Sequence, residues 1–81
     1  MKMPRDVSGA ELARALLRFG YQMTRQSGSH IRLTSRRKET QHHITIPAHT
    51  PLKVGTLSQI LSDVAGYLEI TRDQLIDELF S

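Results

Sequence analysis

Gly28-Ser29-His30-Ile31-Arg32-Leu33 is the stretch from which the rest of the chain is read. Ile31 and Leu33 alternate with His30, Arg32 and Thr34, the period of two of a half-buried strand, so a strand is expected from His30 to about Ser35. With the two aliphatics turned to a core, His30 and Arg32 face outward together, directly after a flexible Gly-Ser joint. An imidazole beside a fixed guanidinium on an open sheet face is suited to bind and act on a phosphate.

Outward from that strand the elements follow in order. On its N-terminal side, Tyr21 to Arg25 alternates Tyr21 and Met23 with Gln22 and Thr24 as a short strand, and residues 26–29 form the turn. Before it, a helix is expected from Gly9 to about Phe19. Ser8 and Glu11 supply a capping box, Leu12, Leu16 and Phe19 an apolar stripe, and Gly20 the stop. On the C-terminal side, Arg36-Arg37-Lys38-Glu39 is a basic loop and His42 to Ile46 a third strand. Ile44 and Ile46 share the core face there, His43 and Thr45 lie beside His30 and Arg32, and Pro47 ends the strand. Gly55-Thr56 opens a second helix carrying Leu57, Ile60, Leu61 and Val64 and ending near Ala65-Gly66. A short final helix over about 71–80 is capped by Thr71 with Gln74 at the box position.

The expected class is α+β: an α-β-β-β-α core with an extra C-terminal helix, its strands an antiparallel three-stranded meander with helices on one face and the other face open. The 81 residues make one domain, 1–81, whose core spans about 8–65. A chain of this length buries roughly 60–65 % of its extended surface. It has no cysteine, which removes disulfides and thiolate metal sites and fits a reducing compartment. Neither a secretory signal nor a ~20-residue apolar run appears, so a soluble cytoplasmic protein without membrane contact is expected.

Charge is divided along the chain. Residues 1–38 hold nine Lys or Arg against two acids, a net of +7, and residues 39–81 hold two against six, a net of −4. A polyanion is the partner expected at the basic half; a solvated surface with clustered charge is the plainer reading.

Four histidines fall within twenty positions: His30, His42, His43 and His49. Adjacent strand residues point to opposite faces, so His42 and His43 cannot chelate one ion. With no cysteine and only Glu39 as a nearby acid, a zinc set is hard to assemble, and no metal or other cofactor is expected. General acid–base chemistry suits imidazole better. RNA carries its own nucleophile in the 2′-hydroxyl, which needs only deprotonation, a held phosphate and charge stabilisation. His30 is the candidate base, Arg32, Arg36, Arg37 and Lys38 the positive charge along the same edge, and Ser29 and Lys53 further RNA contacts. His43, if beside His30, can bind phosphate or protonate the leaving oxygen. The helix start at Gly55-Thr56 has open amides that attract anions, a weak signal alone. Each residue also has a plain reading: His30 as a half-exposed strand end, Arg36-Arg37-Lys38 as a solvated hairpin tip, His42 at the core edge, His49 anchoring a loop, Gly28 and Gly55 as hinges.

Gly20-Tyr21, Gly28-Ser29-His30, Pro47-Ala48-His49, Lys53-Val54-Gly55-Thr56-Leu57 and Ile60-Leu61, taken together, resemble the HicA family of bacterial toxins over about residues 8–65. The resemblance implies a double-stranded-RNA-binding-domain-like fold and a metal-independent, ribosome-independent mRNA endoribonuclease whose catalytic histidine matches His30. It implies a supporting role for His49 and a HicB-like antitoxin that covers the active surface. Two departures stand out: a longer stretch, Gly66 to Ile70, before the last helix, and a more basic hairpin tip. In-line attack by a 2′-hydroxyl needs a flexible backbone, which favours single-stranded RNA. The alternatives are a non-catalytic RNA-binding module of the same fold and a protein-interaction domain that docks through its acidic final helix.

Overall fold

A computed structural model describes residues 6–80. The elements are α1 (Gly9–Leu16) continued by a 3₁₀ turn (Leu17–Phe19), β1 (Tyr21–Ser27), β2 (His30–Ser35), β3 (His42–Pro47), α2 (Val54–Leu68) and α3 (Arg72–Phe80). The fold is α+β in the expected α-β-β-β-α order with one extra helix, and its sheet is antiparallel in the order β1-β2-β3. Residues 6–52 form one compact unit and, among the described residues, 53–80 form another.

In the first unit the core is built on the aliphatic face of the central strand. Ile31 and Leu33 pair with Ile46 and Ile44 across β3, and all four are buried. Helix α1 contacts β2 and β3 and buries Leu12, Ala13 and Leu16. Its start is fixed twice. The Ser8 hydroxyl accepts from the Glu11 amide at 3.0 Å while Glu11 accepts from the Ser8 amide at 3.1 Å, satisfying two open donors. The Gly9 amide then donates to the His49 carbonyl, and the Leu52 amide to that of Val7. Gly9 runs so close to β3 that a β-carbon there would fall inside the Pro47 carbonyl oxygen. Gly20 ends the helical segment at φ 90°, as a left-handed stop requires.

Three expectations change. β1 extends to Ser27 rather than Arg25, because Gly28 and Ser29 alone make the turn. Gly28 has φ 57°, and Ser29 is not among the described residues of positive φ, the pattern for which a two-residue hairpin needs glycine first. β1 also supplies less core than its alternation suggests: Tyr21 is buried, but Met23 is 53 % exposed on an edge strand. Pro47 closes β3 from inside, opposite His30.

In the second unit α2 buries Leu57, Ile60, Leu61, Val64 and Ala65, and α3, which packs on it, buries Leu75, Ile76 and Leu79. The reciprocal bonds between Thr71 and Gln74 open α3 as expected. Helix α2 runs through Gly66 to Leu68 instead of stopping at Ala65-Gly66. An interior glycine costs a helix only about 1 kcal/mol, less than the turn it would give up. Glu69 takes the left-handed position, φ 60°, that ends it. Most of the long link after the second helix is therefore helix. Among the described residues no helix is long and apolar enough to cross a membrane.

Candidate functional site

The face of the sheet opposite Ile31 and Leu33 is organised in cross-strand rows, because directly paired residues of antiparallel strands share a face. The first row is Ser27, His30 and Pro47, the second Arg25, Arg32 and Thr45, and the third Gln22, Thr34 and His43. Rows on one face of a strand lie roughly 7 Å apart.

His30 occupies the first position of the central strand and is exposed. Its backbone is held on both sides, by Ser27 across β1 and by Pro47 across β3. The Ala48 amide donates to the Ser29 carbonyl at 2.6 Å, carrying the pairing one step beyond His30. The imidazole thus stands at the end of a fixed ladder, with a glycine-dependent turn immediately before it. His49 follows Ala48 in the loop leaving that row. The loop is anchored through its backbone carbonyl, which accepts from Gly9, while its side chain is exposed.

The second row places two guanidinium side chains, Arg25 and Arg32, directly opposite one another, both exposed. Like charges in that position oppose sheet pairing. Their arrangement favours an anion lying across the row, one step from His30. Arg25 escapes a plain reading of the sequence. Strict alternation from Tyr21 puts residues 21, 23 and 25 on the core face. A bulge at Thr24, between Met23 and Arg25, reverses that parity and turns Arg25 outward.

The third row is tied by side chains. The Thr34 hydroxyl hydrogen-bonds to His43 Nδ1 at 2.8 Å and to the Thr24 hydroxyl at 3.0 Å, and the Thr24 hydroxyl donates to the Arg32 carbonyl at 3.4 Å. His43 has the expected face but not the expected neighbour. It pairs with Thr34, two rows from His30, a separation of roughly 13 Å along the strand. Proton transfer needs approach to about 3 Å, so His43 cannot protonate the leaving oxygen of a phosphate held at His30.

His42 lies at the core edge, as expected from its parity. Its Nδ1 hydrogen-bonds to the Tyr21 hydroxyl at 2.7 Å, with ring centroids 5.9 Å apart and planes at 67°. Arg36, Arg37 and Lys38 follow the C-terminal end of β2, so they lie at the end of the sheet away from His30 rather than beside it. Arg37 is held there, its amide donating to the Ser35 hydroxyl at 3.3 Å and its guanidinium Nη1 to the Phe19 carbonyl at 3.5 Å.

Lys53, Gly55 and Thr56 belong to the second unit. Lys53 is the exposed N-cap of α2, which has no side-chain cap. A β-carbon at Gly55 would meet nothing within 4 Å. Among the described residues no three His, Cys, Asp or Glu side chains gather where they could share a metal ion.

No curated protein and no solved structure matches this chain. The family model described as the HicA toxin of bacterial toxin–antitoxin systems matches residues 9–65, a span that takes in α1, all three strands and most of α2. That match covers well over half of the 81 residues, and the chain belongs to the HicA toxin family.

Proposed function

We propose that this toxin-family protein is a metal-independent endoribonuclease that acts on single-stranded mRNA in the cytoplasm, with His30 as general base. The observation that carries the reading is the adjacency of an exposed imidazole and a row of two opposed arginines on one open sheet face. The scissile phosphate lies across Arg25 and Arg32, which neutralise the charge that builds on its oxygens. His30 takes the proton of the neighbouring 2′-hydroxyl, and that oxygen attacks phosphorus in line. The bond to the 5′-oxygen breaks, leaving a 2′,3′-cyclic phosphate on one fragment and a 5′-hydroxyl on the other. The departing oxygen takes its proton from water. Ser29 and Gly28 shape the turn that presents His30, and His49 supports the same end of the sheet. Arg36, Arg37 and Lys38 add positive charge for more distant phosphates, and in the second unit Lys53 and the helix start at Gly55-Thr56 are taken separately as phosphate contacts.

A HicB-like antitoxin is the partner of this reading. It silences the protein by covering the face that bears the three rows.

The test is His30→Ala, scored by discrete fragments from a long RNA, by growth arrest on expression, and by thermal melting. Loss of fragments and of arrest with an unchanged melting temperature supports the proposal. A folded alanine variant that still cleaves would remove His30 from the mechanism. RNA binding without fragments from the wild-type chain would leave a non-catalytic RNA-binding module.

A further inference from the structure

At the end of the sheet away from His30, the 3₁₀ turn, the first residues of β1 and the loop after β2 enclose an open cleft of about 600 Å³. Its lining is Arg18, Gly20, Gln22, Thr34, Arg36 and Arg37. Three guanidinium side chains thus border one concavity, and among the described residues that line it none is acidic. Three guanidinium groups at one concavity raise the local positive potential, and an anion in the cleft is attracted by it.

The cleft is built rather than fortuitous. Arg37 is tied to Ser35 and Phe19, and its stem passes over Gly20, where a β-carbon would sit 3.5 Å from Arg37 Cβ and Cδ. Gly20 itself has φ 90°, a conformation other residues adopt only with strain. One guanidinium is therefore held before any ligand arrives, which lowers the entropy lost on binding. The volume lies within the range of small-molecule sites and exceeds what a bare phosphate fills. Guanidinium planes stack on unpaired bases as readily as they bind phosphate, and the Gln22 amide offers a donor and an acceptor to a base edge.

Gln22 and Thr34 are two members of the third row, so the cleft opens onto the same face as His30, about 13 Å along β2. That distance is about four stacked nucleotides at 3.4 Å each, and fewer if the strand is extended.

We propose that the cleft bordered by Arg18, Arg36 and Arg37 is a second RNA subsite, binding one nucleotide of the same strand that is cut at His30, a few positions to one side of the scissile phosphate. The proposal rests on the ribonuclease reading for its strand. It adds that the protein measures substrate length in one direction.

The experiment uses the full chain and oligonucleotides with a single ribonucleotide in a 2′-deoxy background. The number of nucleotides is increased from one to six on either side of the cleavable position. The expected result is a step in kcat/KM of at least about tenfold, at two to four added nucleotides on one side only, with a flat response on the other. In the Arg18→Gln/Arg36→Gln variant, which keeps Arg37 and its bond to Phe19, the ratio of long- to short-substrate kcat/KM falls toward one.

A wild-type protein that cleaves all lengths equally overturns the subsite and leaves the ribonuclease reading standing. So does a variant that melts normally and keeps the full ratio. If the variant does not fold, the wild-type length series and Arg36→Gln alone decide. Absence of all cleavage overturns the ribonuclease reading instead. The cleft is then judged from binding of uncleavable 2′-O-methyl oligonucleotides by fluorescence anisotropy. Length-dependent affinity lost in the variant upholds the subsite, and length-independent affinity overturns it.

Discussion

Arg25→Gln separates what the open face does for stability from what it does for a ligand. Arg25 and Arg32 are direct cross-strand partners, and both are exposed. Their charges repel by about 0.6 kcal/mol at roughly 7 Å in water. Physiological salt, with a screening length of about 8 Å, reduces that to about 0.2–0.3 kcal/mol. Removing one charge while keeping a long polar side chain should therefore stabilise the protein slightly. A domain of this size gains about 4–8 °C per kcal/mol, so the melting temperature should rise by about 2–5 °C at low salt and about 1–2 °C at physiological salt. RNA affinity should move the other way. One phosphate contact is lost, so the salt dependence of binding should flatten by about 0.7 in log–log slope for a single strand. Affinity at low salt should fall about tenfold, in keeping with about 1.5 kcal/mol for a hydrogen bond to a charged group. Arg25→Lys, which keeps the charge, should leave the melting temperature where it was. Calorimetry at two salt concentrations and anisotropy with an uncleavable oligonucleotide measure both effects. A lowered melting temperature together with an unchanged salt slope would show that Arg25 does not stand opposite Arg32 on the ligand-binding face.

Two glycines should respond with opposite sign to the same change: Gly9→Ala drives a β-carbon into the Pro47 backbone and should cost about 3 kcal/mol, whereas Gly66→Ala meets nothing and should gain about 0.5–1 kcal/mol from helix propensity, both read from melting curves. Gly28→Ala places a side chain at φ 57° in the turn before His30 and should lose about 1–2 kcal/mol, with cleavage falling further than the unfolded fraction explains. Gly28→Asn should be milder, because asparagine tolerates that conformation. Cleavage should survive an excess of chelator, and activity lost with chelator and restored by zinc or manganese would refute the acid–base assignment.

The parts of this fold that are legible in the sequence are those whose causes are local. Ser8 with Glu11, Thr71 with Gln74 and the left-handed stop at Gly20 are decided within a turn of helix, and each stands where the residues place it. The outward face of β2 is legible for the same reason, since alternation within one strand settles it. The glycine at 66 misleads because its residue type is visible while the helix's continuation is a balance of several turns.

The site itself depends on two properties that belong to pairs of strands. One is the bulge at Thr24, a fact about how β1 meets β2, and it changes an isolated Arg32 into an opposed pair with Arg25. The other is register. Parity alone places His43 on the face of His30, but residues 36–41 set where β3 begins to pair, and that puts His43 opposite Thr34. Face is a property of one strand and row a property of two. The proposed chemistry turns on the row: a single imidazole beside two guanidinium groups is placed to take the proton of a 2′-hydroxyl next to a held phosphodiester, whereas a second imidazole two rows away meets a different nucleotide. An acid–base pair of histidines and a lone histidine with a charged track are therefore distinguished here by six loop residues, which carry no sign of it in their composition.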